Sequence, residues 1–117
     1  MPTEREEPIP DEWRSAVCKI LQNGKIGREI EQTVRSFRDW EATFPLAFTS
    51  DLINAFRQTL SRPDVRGKPV SANEPGETWE SFFWYDARKM FGKVCLRLCG
   101  KRVKIISSHI PLKGEFW

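Results

Sequence analysis

The side chains best suited to moving protons and holding anions crowd into the last third of this sequence. His109 is its only histidine, the residue type that exchanges protons near neutral pH. Glu80 offers a base, Tyr85 a second proton-transfer group, and Arg88, Arg97 and Lys104 fixed positive charge. This set suits a substrate that brings its own nucleophile. RNA is one: its 2′-hydroxyl attacks the adjacent phosphate once it is positioned and deprotonated, and the protein supplies a base, an acid for the leaving oxygen and cations for the crowded phosphorane. Other chemistries find fewer parts. A Ser-His-acid triad would have to use His109, yet no serine sits in a nucleophile turn. One histidine, no CxxC pair and no close carboxylate cluster give metal binding little to work with. No Gly-rich loop follows a strand to cradle a nucleotide, so no cofactor is expected.

Charge follows the same gradient. Residues 1–60 carry eight Lys and Arg against ten Asp and Glu, whereas residues 61–117 carry eleven against six. Between Asp86 and Lys104 stand seven bases and one acid, a clustering that draws polyanions. Lys93, Arg97, Arg102 and Lys104 are the expected RNA-binding cations, joined by Arg66 and Lys68 from the preceding loop. A solvated strand face is the plain alternative. Trp79, Phe82, Phe83 and Trp84 are either base-stacking aromatics or core.

The elements that must position these residues read as helices followed by strands. After Pro10, with Asp11 as cap, Trp13, Val17, Ile20 and Leu21 recur at helical spacing until Asn23-Gly24. A second periodic stretch runs from Ile26 through Ile30, Val34 and Phe37 to Trp40, and Pro45 stops it. Thr49 or Ser50 caps a third, with Leu52, Ile53, Phe56 and Leu60 as its buried stripe. Residues 62–78, rich in proline and glycine, read as a surface loop. From Trp79 the composition turns aromatic and β-branched in three runs. The expectation is an α+β fold: N-terminal helices packed on a small C-terminal antiparallel β-sheet. It divides into a flexible N-terminus (1–10), a helical part (11–61), the loop (62–78) and the sheet (79–109).

Gly100-Lys101 fits a two-residue turn. That register sets Leu98 against Val103, Arg97 against Lys104 and Leu96 against Ile105. It puts Val94, Leu96, Leu98, Val103 and Ile105 on an apolar face and Lys93, Arg97, Arg102 and Lys104 on the other. Arg97 facing Lys104 is a like-charge conflict, which a polyanion site would relieve. Strict alternation turns His109 to the core side, so a structural histidine competes with a catalytic one.

With 117 residues, 39% hydrophobic and 30% charged, the chain has the size and composition of one self-folding globular domain. No apolar run approaches a membrane span, and the acidic, Pro-rich start is unlike a signal peptide. A cytoplasmic protein with no membrane partner is expected, and the three cysteines read as reduced thiols.

Residues 79–109, WESFFWYDARKMFGKVCLRLCGKRVKIISSH, resemble the C-terminal sheet of MqsR-like messenger-RNA-cleaving toxins of the wider RelE/barnase-like ribonuclease superfamily. The shared elements are Trp79-Glu80, Arg88 before the next strand, Gly92-Lys93-Val94 leading into alternating apolar and basic residues, and a last strand closing on a basic residue. Departures are His109 where the pattern has lysine, Cys95 for a tyrosine and Glu80 for a glutamine. The resemblance implies a sheet whose open face cuts RNA without a metal, acting on free or ribosome-bound messenger RNA as the toxin of a toxin–antitoxin pair held by an antitoxin protein. Two other readings share the basic surface: a non-catalytic RNA- or DNA-binding module, and an interaction domain for an acidic protein partner.

Overall fold

The computed structural model describes residues 6–73 and 75–115; residues 1–5 of the expected N-terminal segment lie outside them. Three helices, α1 (Asp11–Asn23), α2 (Val34–Thr43) and α3 (Thr49–Leu60), cover one face of a six-stranded sheet. Its strands are β1 (Glu7–Pro8), β2 (Ile30–Gln32), β3 (Arg66–Val70), β4 (Gly76–Tyr85), β5 (Arg88–Arg97) and β6 (Val103–His109), in the order β1-β3-β4-β5-β6-β2. The fold class is α+β, as the residue pattern predicts. Among the described residues no helix is long and apolar enough to cross a membrane.

The core lies between helices and sheet. Trp13, Val17 and Leu21 of α1, Trp40 of α2, and Leu52, Ile53, Phe56 and Leu60 of α3 meet Trp79, Phe83, Met90, Val94, Val103 and Ile105. Burying this much aliphatic and aromatic surface is the main stabilising term. The Phe56 and Phe83 rings lie 4.3 Å apart, centroid to centroid. Gly92 passes directly beneath Phe56, where a Cβ would come within 2.7 Å of Cζ; the glycine is there so that ring and strand can touch. Arg14, buried at the start of α1, pairs with Asp11 and donates to the carbonyl oxygens of Ile9 and Leu60, tying α1 to the end of α3.

Three segments depart from expectation. Residues 26–33 leave the helical register: Gly27 takes a φ of +90°, and Ile30–Gln32 run parallel to Val103–Ile105 as an edge strand. The period through Ile26, Val34 and Phe37 was misleading, because all three side chains are exposed and the inward stripe of α2 is Ser36 and Trp40. The expected loop 62–78 holds β3 and the start of β4. Pro69 is tolerated in β3 because it lies beyond the reach of β1, which pairs only with Arg66 and Gly67. Residues 6–10 are anchored, with Glu7–Pro8 paired and Ile9 in the core. The caps shift as well: Asp51 accepts the Phe48 N–H at 2.8 Å to start α3, and Pro10 precedes α1.

The last hairpin also turns differently. Arg97 donates its N–H to the Arg102 carbonyl at 2.9 Å, enclosing a four-residue loop, Leu98 to Lys101, in which Gly100 adopts φ +70°. Leu96 therefore faces Val103, Cys95 faces Lys104 and Val94 faces Ile105. The slip relative to the expected register is two residues, so parity is kept and the same side chains point inward. Leu98 is the exception, stranded in the loop at 81% exposure.

Candidate functional site

The sheet face turned away from the helices gathers most of the residues singled out above. Directly opposed residues share a face. One cross-strand row runs Lys68, Glu80, Lys93, Ser107; the next runs Phe82, Phe91, His109; a third runs Val70, Thr78, Cys95, Lys104, Glu31. Trp84 and Lys89 oppose each other beyond Phe82 and Phe91, and Arg97 lies beyond Cys95.

His109 reaches this face through a β-bulge. Val94 opposes Ile105 but Lys93 opposes Ser107, so Ile106 is an extra residue on β6. Such an insertion reverses the alternation beyond it: Ser108 turns into the core, where its hydroxyl meets Ser36, and His109 turns out to stack on Phe91. Thr33 pins the bulge. Its hydroxyl donates to the Ile106 carbonyl at 3.0 Å and accepts the Ser36 N–H at 3.0 Å, capping α2 with the same atom. Strict alternation misses this because nothing in the run Lys104-Ile105-Ile106-Ser107 marks the inserted residue.

The charges interlock. Glu80 lies 3.4 Å from Lys93 Nζ and Glu31 lies 3.6 Å from Arg97. The expected opposition of Arg97 and Lys104 is absent: the register sets Lys104 against Cys95 and Glu31, so relief of a like-charge conflict is no longer an argument for an anion. His109 is held between two carboxylates, Glu115 Oε1 at 2.9 Å from Nε2 and Asp39 Oδ2 at 3.7 Å from Nδ1. Glu31 and Asp39 were missed because they lie far in sequence from Arg97 and His109, and Glu115, though only six residues past His109, because it follows the last strand run and carries no periodic signal. Phe91 was missed as a ring support because it lies between the first two strand runs of the sequence, whereas β5 already begins at Arg88.

Two candidates fall outside this cluster. Tyr85 points to the helix side, with its ring 5.0 Å from Trp40 and 4.9 Å from Phe44. Desolvation there, with Asp51 and Asp86 adding negative charge nearby, pushes its phenol above the usual tyrosine value. Arg88 pairs with Tyr85 at the exposed β4–β5 turn, remote in register from Glu80. Arg102 is exposed at the base of the last hairpin, opposite Arg97. Arg66 and Lys68 belong to β3, with Lys68 beside Glu80 and Arg66 paired to Glu6. Of the aromatic run, Trp79 and Phe83 are core, whereas Phe82 and Trp84 face outward.

No protein-family model, curated protein or solved structure matches the chain. The chemistry of the face is therefore read from its own residues. Among the described residues no group of three or more His, Cys, Asp and Glu could hold a metal ion, and Cys18, Cys95 and Cys99 are free thiols. A cavity of about 450 Å³ lies between α1 and the tip of the last hairpin, with Lys19, Lys25, Arg28 and Lys101 in its lining. It includes none of the residues of the Glu80–His109 face, and its lysines are solvent-exposed.

Proposed function

We propose that the open face of the sheet binds RNA and cleaves it by attack of the 2′-hydroxyl on the adjacent phosphate, without a metal ion. The observation that carries the reading is the bulge at Ile106, which brings the sole histidine onto the face bearing the Glu80–Lys93 pair. Glu80 takes the proton of the 2′-hydroxyl as its oxygen bonds to phosphorus. The bond from phosphorus to the 5′-oxygen breaks, and His109 delivers a proton to that oxygen. The products are a 2′,3′-cyclic phosphate and a free 5′-hydroxyl, so atoms and charge balance. Lys93, Lys104 and Arg97 offset the charge that builds on the phosphorane. Tyr85 and Arg88 take no part. For His109 to act, Glu115 has to release Nε2 to the incoming strand.

The resemblance of residues 79–109 to messenger-RNA-cleaving toxins extends the proposal to a cytoplasmic toxin restrained by an antitoxin protein and acting on free or ribosome-bound messenger RNA. The test is incubation of the pure protein with RNA in EDTA. Fragments ending in 2′,3′-cyclic phosphate are expected from the wild type, with Glu80→Gln and His109→Gln each slower by about a hundredfold to ten-thousandfold. Binding without any product would assign the same face to a non-catalytic RNA-binding module. The engagement of both His109 ring nitrogens by carboxylates is the observation that favours this second reading.

A further inference from the structure

At the β3 side of the open face, Trp84, the penultimate residue of β4 and beyond the stretch that pairs with β3, is 55% exposed. Around it lies a notch of about 230 Å³ lined by Trp84, Phe82, Arg62, Arg66, Thr59 and Val65, with Glu6 and Asp64 at its rim. That volume is below the roughly 300–1,000 Å³ typical of sites for drug-sized ligands and suits a single ring system. Lys89, opposite Trp84, carries its Nζ 4.0 Å from the centre of the Phe82 ring and 6.0 Å from that of Trp84. The aromatic row Phe82, Phe91, His109 then leads from the notch to the proposed catalytic histidine.

The charges decide what enters. Arg66 pairs with Glu6, and Arg62 with Asp64 at 3.4 Å. Each acid lies against its arginine, so the notch is nearly neutral and a poor place for a phosphate. A guanidinium has five N–H donors, and one carboxylate and one carbonyl do not exhaust those of Arg66. The combination of an exposed indole face, a cation beside it and spare donors at the edge fits a flat, uncharged ring with acceptor atoms on its rim.

From this we infer that the Trp84 notch is a nucleobase-stacking subsite, which makes the face selective for unpaired RNA. The inference rests on the RNA reading of the same face and adds to it the form of the substrate. A base inside a duplex has both faces stacked and its edge paired, so only a single strand or a splayed loop can place one on Trp84. Trp84 and His109 are separated by two strand spacings of ~4.8 Å and two residues of ~3.4 Å, a reach that a short stretch of single strand spans. The stacked base would set which phosphate lies before His109.

The test uses the full chain and a 2′-O-methyl oligonucleotide, which lacks the attacking hydroxyl and so reports binding alone, read by fluorescence anisotropy. Trp84→Leu keeps apolar cover but removes the π face, while Trp84→Phe keeps a smaller one. We expect Trp84→Leu to weaken single-strand binding roughly tenfold to a hundredfold, with Trp84→Phe recovering most of it, and the wild type to bind the matching duplex much more weakly than the single strand. Equal single-strand affinity in wild type and Trp84→Leu, or equal wild-type affinity for strand and duplex, would overturn the subsite and leave the RNA reading standing. No binding of any RNA by the wild type would overturn both.

Discussion

Phe91 and His109 stand directly opposite each other on β5 and β6, ring centroids 5.2 Å apart and planes 24° from parallel. The phenyl ring is a shelf: it is buried, it is held from the other side by Phe82 at 6.3 Å, and it leaves the imidazole few orientations. Stacking needs only a flat ring, whereas proton delivery needs an imidazole. His109→Phe should therefore keep the melting temperature within a few degrees and lose cleavage by about a hundredfold or more. His109→Gln should lose the same activity and also some of the stacking. Undiminished cleavage by His109→Phe would remove His109 from the mechanism.

Thr33 has two duties through one hydroxyl, capping α2 and holding the carbonyl of the bulge residue Ile106. Thr33→Val keeps the shape and removes both bonds. A lost cap costs about 1 kcal/mol and a lost hydrogen bond to the carbonyl about another. Urea unfolding should show roughly 1–3 kcal/mol of destabilisation. Because the bulge aims His109, turnover at saturating RNA should fall while binding through Lys93 and Lys104 holds; equal losses in binding and turnover would point to a general loosening of the fold instead.

Gly92 was read from the sequence as part of the Gly-Lys-Val element shared with the toxin pattern, and the structure supplies a packing reason for it. A methyl group there would press on Phe56 and come within 3.1 Å of Phe83 Cδ1, and the two rings already pack against each other. Gly92→Ala should cost about 1–3 kcal/mol by overpacking. Combining it with Phe56→Leu should recover part of the loss, so the two changes should be non-additive in a double-mutant cycle.

What the sequence made legible was whatever period and parity could carry. The stripes of α1 and α3 were readable because Trp13, Val17 and Leu21, and Leu52, Phe56 and Leu60, are spaced for one helix face and no rival pattern competes. Inward Val94, Leu96, Val103 and Ile105 survived a register error because the slip was even. Single insertions and edge pairings were not legible. The bulge at Ile106 reversed His109 with no compositional mark, and Ile30–Gln32 borrowed its strand conformation from β6, a partner more than seventy residues away. Glu31 and Asp39 lie on elements far from the hairpin in sequence, so no local window could join them to Arg97 and His109, and Glu115, six residues past His109, lies in a turn that no strand or helix period marks.

Glu115 occupies the ring nitrogen that a phosphate would approach, and it also accepts the Leu112 N–H at 2.8 Å within the turn after β6. A carboxylate there competes with the RNA backbone. Glu115→Ala should tighten binding of a non-cleavable strand by removing the rival anion, at a cost in stability of about 1–2 kcal/mol for the two hydrogen bonds lost. Weaker binding in Glu115→Ala would mean that the turn supports the strand rather than blocking it.

Tyr85 is the only tyrosine in the chain, so its ionisation can be followed by phenolate absorbance without interference from another phenol. Packing against Trp40 and Phe44 disfavours the phenolate, and Asp51 and Asp86 add to the effect. The titration midpoint in the folded protein should lie above the ordinary value of about 10. The sign of the linkage follows. Below that value the phenol is neutral in both folded and unfolded chains and stability is unaffected by pH. Above it the unfolded chain gives up its proton first, so stability falls as pH rises through the folded midpoint. Tyr85→Phe should remove this alkaline loss and leave RNA cleavage unchanged, since the hydroxyl lies across the sheet from Glu80 and His109. A Tyr85→Phe variant that folds but no longer cuts RNA would show that the helix side of the sheet takes part in the chemistry.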